Sequence, residues 1–207
     1  MEDQLPPEPY DHQRVTSEFL LDHPEVLVQS SPGTGKTRSV IDAVVAAGGK
    51  ALVLAPLSIL APSWGDDIDT FQPGTSWVIA HGKHRVEALQ ADVQFVITNH
   101  DAVKWLAKDA KTVRNAGFTH FIIDESTAFK HRTSQRSKAS RVIAKDIPNR
   151  TMMSGTMIPN GILDIWHQAF LADGGARLGK QFWNCIKVPT AYPEEGNGIP
   201  EVTSGIH

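Results

Sequence analysis

Ser30-Ser31-Pro32-Gly33-Thr34-Gly35-Lys36-Thr37 decides the fold. A strand-like apolar run, Val26-Leu27-Val28, precedes it, and a helix-like one, Val40-Ile41-Asp42-Ala43-Val44-Val45, follows. Strand, glycine-rich loop and helix in that order make a phosphate-binding loop. Glycine lets the backbone curl until successive N–H groups point at phosphate oxygens. The helix behind the loop adds the positive end of its dipole. Gly33, Thr34, Gly35, Lys36 and Thr37 are therefore candidate nucleotide contacts. Lys36 would reach the terminal phosphates, and the Thr37 hydroxyl would hold Mg²⁺. The usual pattern has Gly in its first position, where this chain has the small residue Ser30.

A phosphate loop alone says only that a nucleotide binds. The second decisive stretch is Phe121-Ile122-Ile123-Asp124-Glu125, an apolar run ending in two carboxylates. Buried parallel strands read as continuous apolar runs. In open parallel sheets, ligands sit at the carboxyl ends of the strands, which would bring both carboxylates beside the loop. Asp124 suits Mg²⁺, directly or through water. Glu125 suits the orientation and activation of an attacking water. Lys36, Asp124 and Glu125 form the candidate catalytic set.

Strand-like and helix-like segments alternate along the chain. Strands are expected at Val26–Gln29, Ala51–Ala55, Ser76–Ala80, Val93–Thr98, Phe121–Ile123 and Thr151–Ser154. A first helix is expected over Asp11–Leu21 with Val15, Phe19 and Leu20 inward. Others are expected after the loop as far as Gly48-Gly49, and over Ile59–Ile68, Arg85–Gln90, Asp101–Asn115, Ser134–Ala144 and Ile162–Leu171, with Asn99 as an N-cap and Gly117 past the end of its helix. The alternation implies an α/β fold of three layers, a doubly wound and mainly parallel sheet. Residues 1–9 read as a flexible lead-in, 10–172 as one lobe, and 173–207 as a tail rich in Gly and Pro.

The composition is that of a globular protein: 207 residues, 41% hydrophobic, 21% charged, net charge −3. That balance excludes a generally basic nucleic-acid coat. The single cysteine, Cys185, excludes an internal disulfide or a four-cysteine zinc site and fits a reducing cytosol. The histidines lack metal-ligand spacing. The N-terminus is polar and acidic, without a signal peptide. The longest apolar stretch, Ala51 to Ala61, is too short for a bilayer and contains Pro56. A cytoplasmic location without membrane attachment is expected.

One local patch departs from the net charge. Lys130, Arg132, Arg136, Lys138, Arg141 and Lys145 come after the carboxylate strand, with no Asp or Glu between Ser126 and Lys145. Phosphate attraction is screened within about 10 Å, so such a patch can bind DNA on an acidic protein. A solvated helix face is the other reading. The five tryptophans (64, 77, 105, 166 and 183) are expected in core or inter-lobe packing.

Taken together, these segments resemble the first RecA-like motor lobe of superfamily 2 helicases and translocases, particularly the Swi/Snf-like branch. Gln13, in Tyr10-Asp11-His12-Gln13-Arg14, matches the glutamine that recognises adenine in that family, and an amide can donate and accept along adenine's edge. Leu54-Ala55-Pro56-Leu57-Ser58-Ile59-Leu60, with Trp64 beyond, resembles a DNA-contacting segment, and Ile97-Thr98-Asn99-His100 a second. Asp124-Glu125-Ser126-Thr127 stands where the family carries its acidic box, with Ser126 and Thr127 as departures. Phe129-Lys130 and the basic helix resemble the family's segment just past the box. Ser154-Gly155-Thr156, within Met153–Asn160, resembles the motif coupling ATP state to DNA grip. The implied DNA contacts are Pro56, Leu57, Ser58, Thr98, Asn99, Lys130 and Arg132, directed to the backbone and not to the sequence. For Ser58, Thr98 and Asn99, plain helix capping is the other reading.

The resemblance implies a helicase-type ATP hydrolase with ATP and Mg²⁺ as cofactors and DNA as partner. It also implies a second RecA-like lobe, in cis or in trans, that supplies an arginine finger worth about 10³–10⁵ in turnover. The stretch of chain beyond Asn160 is too short for another such sheet, so this lobe alone is expected to hydrolyse ATP slowly or not at all. Compact relatives occur in bacteriophages, which suits a bacterial or phage-infected cytoplasm. An AAA+ ATPase and a non-motor DNA or protein adaptor are the alternatives. The interval between Lys36 and Asp124 exceeds what AAA+ proteins usually have, and the intact Lys36, Asp124 and Glu125 argue against an adaptor.

Overall fold

Ala51-Leu52-Val53-Leu54-Ala55 has no polar side chain on either face, and all five residues are fully buried. Such a strand is stable only at the centre of a sheet covered on both sides. The computed structural model, which describes residues 5–129, 131, 133–155 and 162–180, places it there. The strands are β1 (Glu25–Gln29), β2 (Ala51–Ala55), β3 (Trp77–Ile79), β4 (Phe95–Asn99), β5 (His120–Ile123) and β6 (Asn149–Ser154). They form one sheet in the order β1-β6-β5-β2-β4-β3, with every pair parallel.

Alternation along each strand builds two cores. Leu52, Leu54, Val96, Phe121, Ile123 and Met152 face one side. Ala51, Val53, Phe95, Ile97, Ile122 and Met153 face the other. Helices α1 (Asp11–Asp22), α2 (Lys36–Ala46) and α3 (Asp66–Phe71) lie towards the second side. Helices α4 (Arg85–Gln90), α5 (Val103–Lys108), α6 (Ala110–Asn115), α7 (Gln135–Ala144) and α8 (Ile162–Asp173) pack on the first. The three-layer, doubly wound α/β architecture is the expected one, and the six strands lie where the apolar runs put them.

Three local expectations are corrected. On α1, Val15 and Phe19 are 56% and 49% exposed, while Gln13 and Ser17 are buried. The helix packs against α2 and the loop before it, so its inward face must supply hydrogen bonds to that loop. Leu20 alone of the three apolar residues packs inward. The helix expected over Asp101–Asn115 breaks at Asp109, whose carboxylate accepts from Thr112 N–H (3.3 Å) and Thr112 Oγ1 (2.7 Å) and so caps α6. Asn99 makes no side-chain capping bond. Ile59–Ile68 is a 3₁₀ turn (Leu57–Ile59), a π-helical turn (Leu60–Gly65) and the start of α3.

Of the expected flexible lead-in, Pro7 and Glu8 are tied to the lobe by their carbonyls, which accept from Arg38 Nη2 (2.5 Å) and Nη1 (3.2 Å). Trp64 and Trp166 are buried. Lys130, Arg132, Thr156, Trp183 and the tail beyond residue 180 lie outside the described residues. Among those described, no helix is long and apolar enough to cross a membrane, and no group of three His, Cys, Asp or Glu could hold a metal ion.

Candidate nucleotide-binding site

The strand order decides which loops meet. β6 lies between β1 and β5, so the segment leaving β6 separates the loop leaving β1 from the carboxylates leaving β5. Gln29 at the end of β1 is in register with Ser154 at the end of β6, and Ser30 N–H donates to the Ser154 carbonyl at 3.4 Å. A Cβ added to Gly155 would stand 3.3 Å from Pro32 Cγ. The candidate coupling residues Ser154 and Gly155 are thus in contact with the phosphate loop.

The loop turns at two glycines. Gly33 and Gly35 both have φ of +79°, a left-handed conformation that costs other residues about 1–2 kcal/mol. The Lys36 amine donates to the carbonyls of Ser30 (2.8 Å) and Ser31 (3.1 Å). Ser30 Oγ and Thr34 Oγ1 are 2.5 Å apart. Ser30, in place of the usual glycine, therefore fastens the loop across its own mouth. Thr37 sits half-buried in the first turn of α2, an eleven-residue helix.

Gln13 is buried against this loop. Its amide nitrogen donates to the Thr34 carbonyl at 3.2 Å, and its amide oxygen accepts from Tyr10 N–H at 3.0 Å. A Cβ on Gly35 would lie 2.0 Å from Gln13 Nε2. The adjacent His12 donates through Nε2 to the same Thr34 carbonyl at 2.9 Å.

The carboxylates differ in setting. Asp124 is 6% exposed, and each of its oxygens has a partner: Oδ2 accepts from Trp64 Nε1 (3.0 Å), and Oδ1 from Glu125 N–H (2.9 Å). A carboxylate oxygen has two acceptor positions, so each oxygen keeps one for a cation or water. Glu125 is exposed, and its backbone is left-handed at φ 48°, the only such non-glycine residue among those described. Such a conformation costs about 1–3 kcal/mol and persists where its surroundings over-determine it. Here the Asp124 carbonyl accepts from His100 Nε2 at 2.7 Å, and Ala128 N–H donates to the Glu125 carbonyl at 3.0 Å.

His100 is therefore part of the site. It is 8% exposed, with its ring edge-on to Phe129 at 5.1 Å. Burial holds its pKa below the ordinary 6.5, against the opposing hydrogen bond to the Asp124 carbonyl. The bond to a carbonyl puts a proton on Nε2 in the neutral ring. Behind the box, Ser126 Oγ donates to Gln168 Oε1 of α8 at 2.5 Å. Sequence reasoning placed Trp64 in packing and quoted His100 only as part of a motif. Their bonds to Asp124 cross 60 and 24 positions of chain, a distance that no local pattern signals.

The candidate DNA contacts divide. Leu57 and Ser58 are exposed, Pro56 and Asn99 half-buried, all at carboxyl ends of β2 and β4. Thr98 is corrected: it is 1% exposed, and its hydroxyl donates inward to the Ala80 carbonyl at 2.6 Å. The basic run also divides. Arg136 forks onto Asp101 (3.0 and 2.8 Å) and, with Lys104, holds that carboxyl at about 2.

A model of the SNF2-related domain matches residues 12–199. The chain belongs to the SNF2-related family. It is 31% identical over 196 residues to putative protein p41 of Acyrthosiphon pisum secondary endosymbiont phage 1 (85% of this chain, 41% of that protein). It is 25% identical over 161 residues to the TATA-binding protein-associated factor MOT1 of Saccharomyces cerevisiae (75% and 8%), and 27% over 131 residues to the chromatin-remodeling ATPase INO80 of Arabidopsis thaliana (57% and 8%). It thus spans less than half the length of these relatives. In fold it resembles the Sulfolobus solfataricus SWI2/SNF2 ATPase core, solved in complex with dsDNA, at a TM-score of 0.75 and 19% identity over 87% of this chain and 38% of that one. The SNF2-related lobe is accordingly RecA-like.

Proposed function

We propose that this SNF2-related lobe binds Mg-ATP and, with a second RecA-like lobe in cis or in trans, hydrolyses it to drive movement on DNA. One observation carries the reading: Ser154–Gly155 lies wedged between the phosphate loop and the acidic box, touching Pro32 on one side, with β5 and Asp124 on the other. A segment so placed can sense phosphate and carboxylates together. The donor set suits a polyphosphate with a divalent cation: backbone N–H groups of a glycine loop, an amine, a hydroxyl, and a carboxylate with spare acceptor positions.

In this reading Gly33, Thr34, Gly35 and Lys36 bind phosphates, Thr37 and Asp124 hold Mg²⁺, and the cation offsets phosphate charge. Glu125 takes the proton of the attacking water. His100 and Trp64 fix the direction of the two carboxylates. Gln13, bonded to Tyr10 and Thr34 at the loop's flank, is the residue assigned to adenine. Pro56, Leu57, Ser58 and Asn99, with Lys130 and Arg132, hold the DNA backbone, and Thr156 completes the coupling segment. A helicase-type hydrolase that is slow without its second lobe, working in a bacterial or phage-infected cytoplasm, completes the proposal.

Binding of a fluorescent ATP analogue with Mg²⁺, compared between this chain and Lys36→Ala, tests it. The expected result is binding that the substitution abolishes. Equal binding by both, or none by either, would overturn the nucleotide reading. Rapid DNA-stimulated turnover by the purified monomer would overturn the need for a second lobe.

A further inference from the structure

We infer that the lobe carries a second phosphate-backbone contact, for duplex DNA, along α7 towards the end of the sheet opposite the nucleotide site; this rests on the DNA-motor reading above. The observation is an open groove of about 640 Å³ between α7 and α8, lined by Lys138, Arg141, Lys145, Arg150 and Lys180 over an apolar floor that includes Phe170. Among the described residues no carboxylate lines it. The nearby acids are committed elsewhere: Glu25 pairs with Arg150, Asp146 with Arg114, and Asp173 with Arg177. Lys138, Arg141, Lys145 and Lys180 are exposed, and none pairs with a carboxylate among the described residues.

The groove lies away from the contacts proposed at Ser58 and Asn99. Arg150 is the second residue of β6 and stands opposite Glu25, where β1 begins, whereas Ser154 and Gln29 end those strands beside the phosphate loop. Four strand residues at about 3.3 Å each put about 13 Å between the two levels. Helix α7 runs the same distance in reverse: Arg136 in its first turn meets Asp101 just past the end of β4, and Lys145 comes directly after its last turn.

Spacing and stacking select the ligand. Lys138, Arg141 and Lys145 recur at i, i+3 and i+7, one face of a helix, spanning about 10 Å at 1.5 Å per residue. One DNA strand presents a phosphate about every 3.4 Å of axis, so the row matches about three phosphates. The Arg141 guanidinium covers the Phe170 ring at 4.8 Å, which takes that ring out of use for stacking an unpaired base. Phosphates of a duplex fit this surface better than the bases of a single strand.

The test is the salt dependence of duplex binding by the whole chain, in wild type, in Lys138→Gln/Lys145→Gln/Lys180→Gln, in the matching Arg variant, and in Ser58→Ala/Asn99→Ala. Each phosphate contact contributes about 0.9 to the slope of log K against log salt. The Gln variant should lose about 2 to 3 from that slope, the Arg variant should keep it, and both should bind the ATP analogue as wild type does. An undiminished slope in the Gln variant, with weakened duplex binding by Ser58→Ala/Asn99→Ala, overturns the groove contact and leaves the motor reading standing. Salt-insensitive duplex binding by wild type overturns both. A Gln variant that keeps DNA but loses a polyglutamate peptide overturns the proposal in favour of an acidic protein partner.

Discussion

Replacing His100 by Phe keeps a ring against Phe129 but removes the donor to the Asp124 carbonyl. That carbonyl is the one immediately before the left-handed Glu125. A buried acceptor left without its partner costs about 1–3 kcal/mol, so the variant should be less stable by that amount at about pH 7.5. The pH dependence gives the prediction its signature. His100 is held below the ordinary 6.5 by burial, so in acid the unfolded chain takes up a proton that the folded one refuses. Stability contributed by neutral His100 is complete above 6.5 and is lost as pH falls from there towards the folded pKa. At about pH 5.5, one unit below, the loss reaches up to about 1.4 kcal/mol. The Phe variant cannot lose it, so the gap between the proteins should narrow by up to that amount. His120, also lowered by burial, titrates in both proteins and cancels. Urea unfolding at the two pH values measures the gap. A gap that is absent at the higher pH, or that stays constant between them, would refute the assignment.

Trp64→Phe removes the donor to Asp124 Oδ2, and a bond to a charged group is worth about 1.5–3 kcal/mol; urea unfolding should show that loss. Under the proposed function, its turnover with a partner lobe should fall further than its affinity for the ATP analogue. Gly35→Ala meets both a φ of +79° and Gln13 Nε2 at 2.0 Å, so analogue binding should drop at least tenfold by fluorescence titration. Asp109→Ala removes the cap of α6 and should lower the midpoint of thermal or chemical unfolding, without altering analogue binding.

The parts legible in the sequence are those whose signal is local. The phosphate loop needs only a few neighbouring residues between a strand and a helix, and the β5 carboxylates needed only an apolar run ending in acid. The strands were legible because both faces of the sheet are covered, which leaves continuous runs such as Ala51–Ala55. The inward face of α1 was not, because α1 packs on a polar loop, so Gln13 and Ser17 took positions that periodicity assigned to Val15 and Phe19. Thr98 failed for a related reason: a hydroxyl at a strand end reads as a surface contact, but β3 ends one residue short and leaves the Ala80 carbonyl to be satisfied. The partners of Asp124 arise only when β2, β4 and β5 are laid side by side.

The parallel sheet has two open borders, and the chain treats them differently. β3 is three residues long, too short to template another strand. β1 is longer, but Pro24 precedes it without an amide hydrogen, Glu25 is bound to Arg150, and Arg177 reaches back to the Glu25 carbonyl. That last contact joins a residue beyond α8 to the first strand. Shortening the chain to the end of α8 would free a backbone acceptor on an exposed border. Arg177 thus keeps that acceptor covered at the border of the sheet.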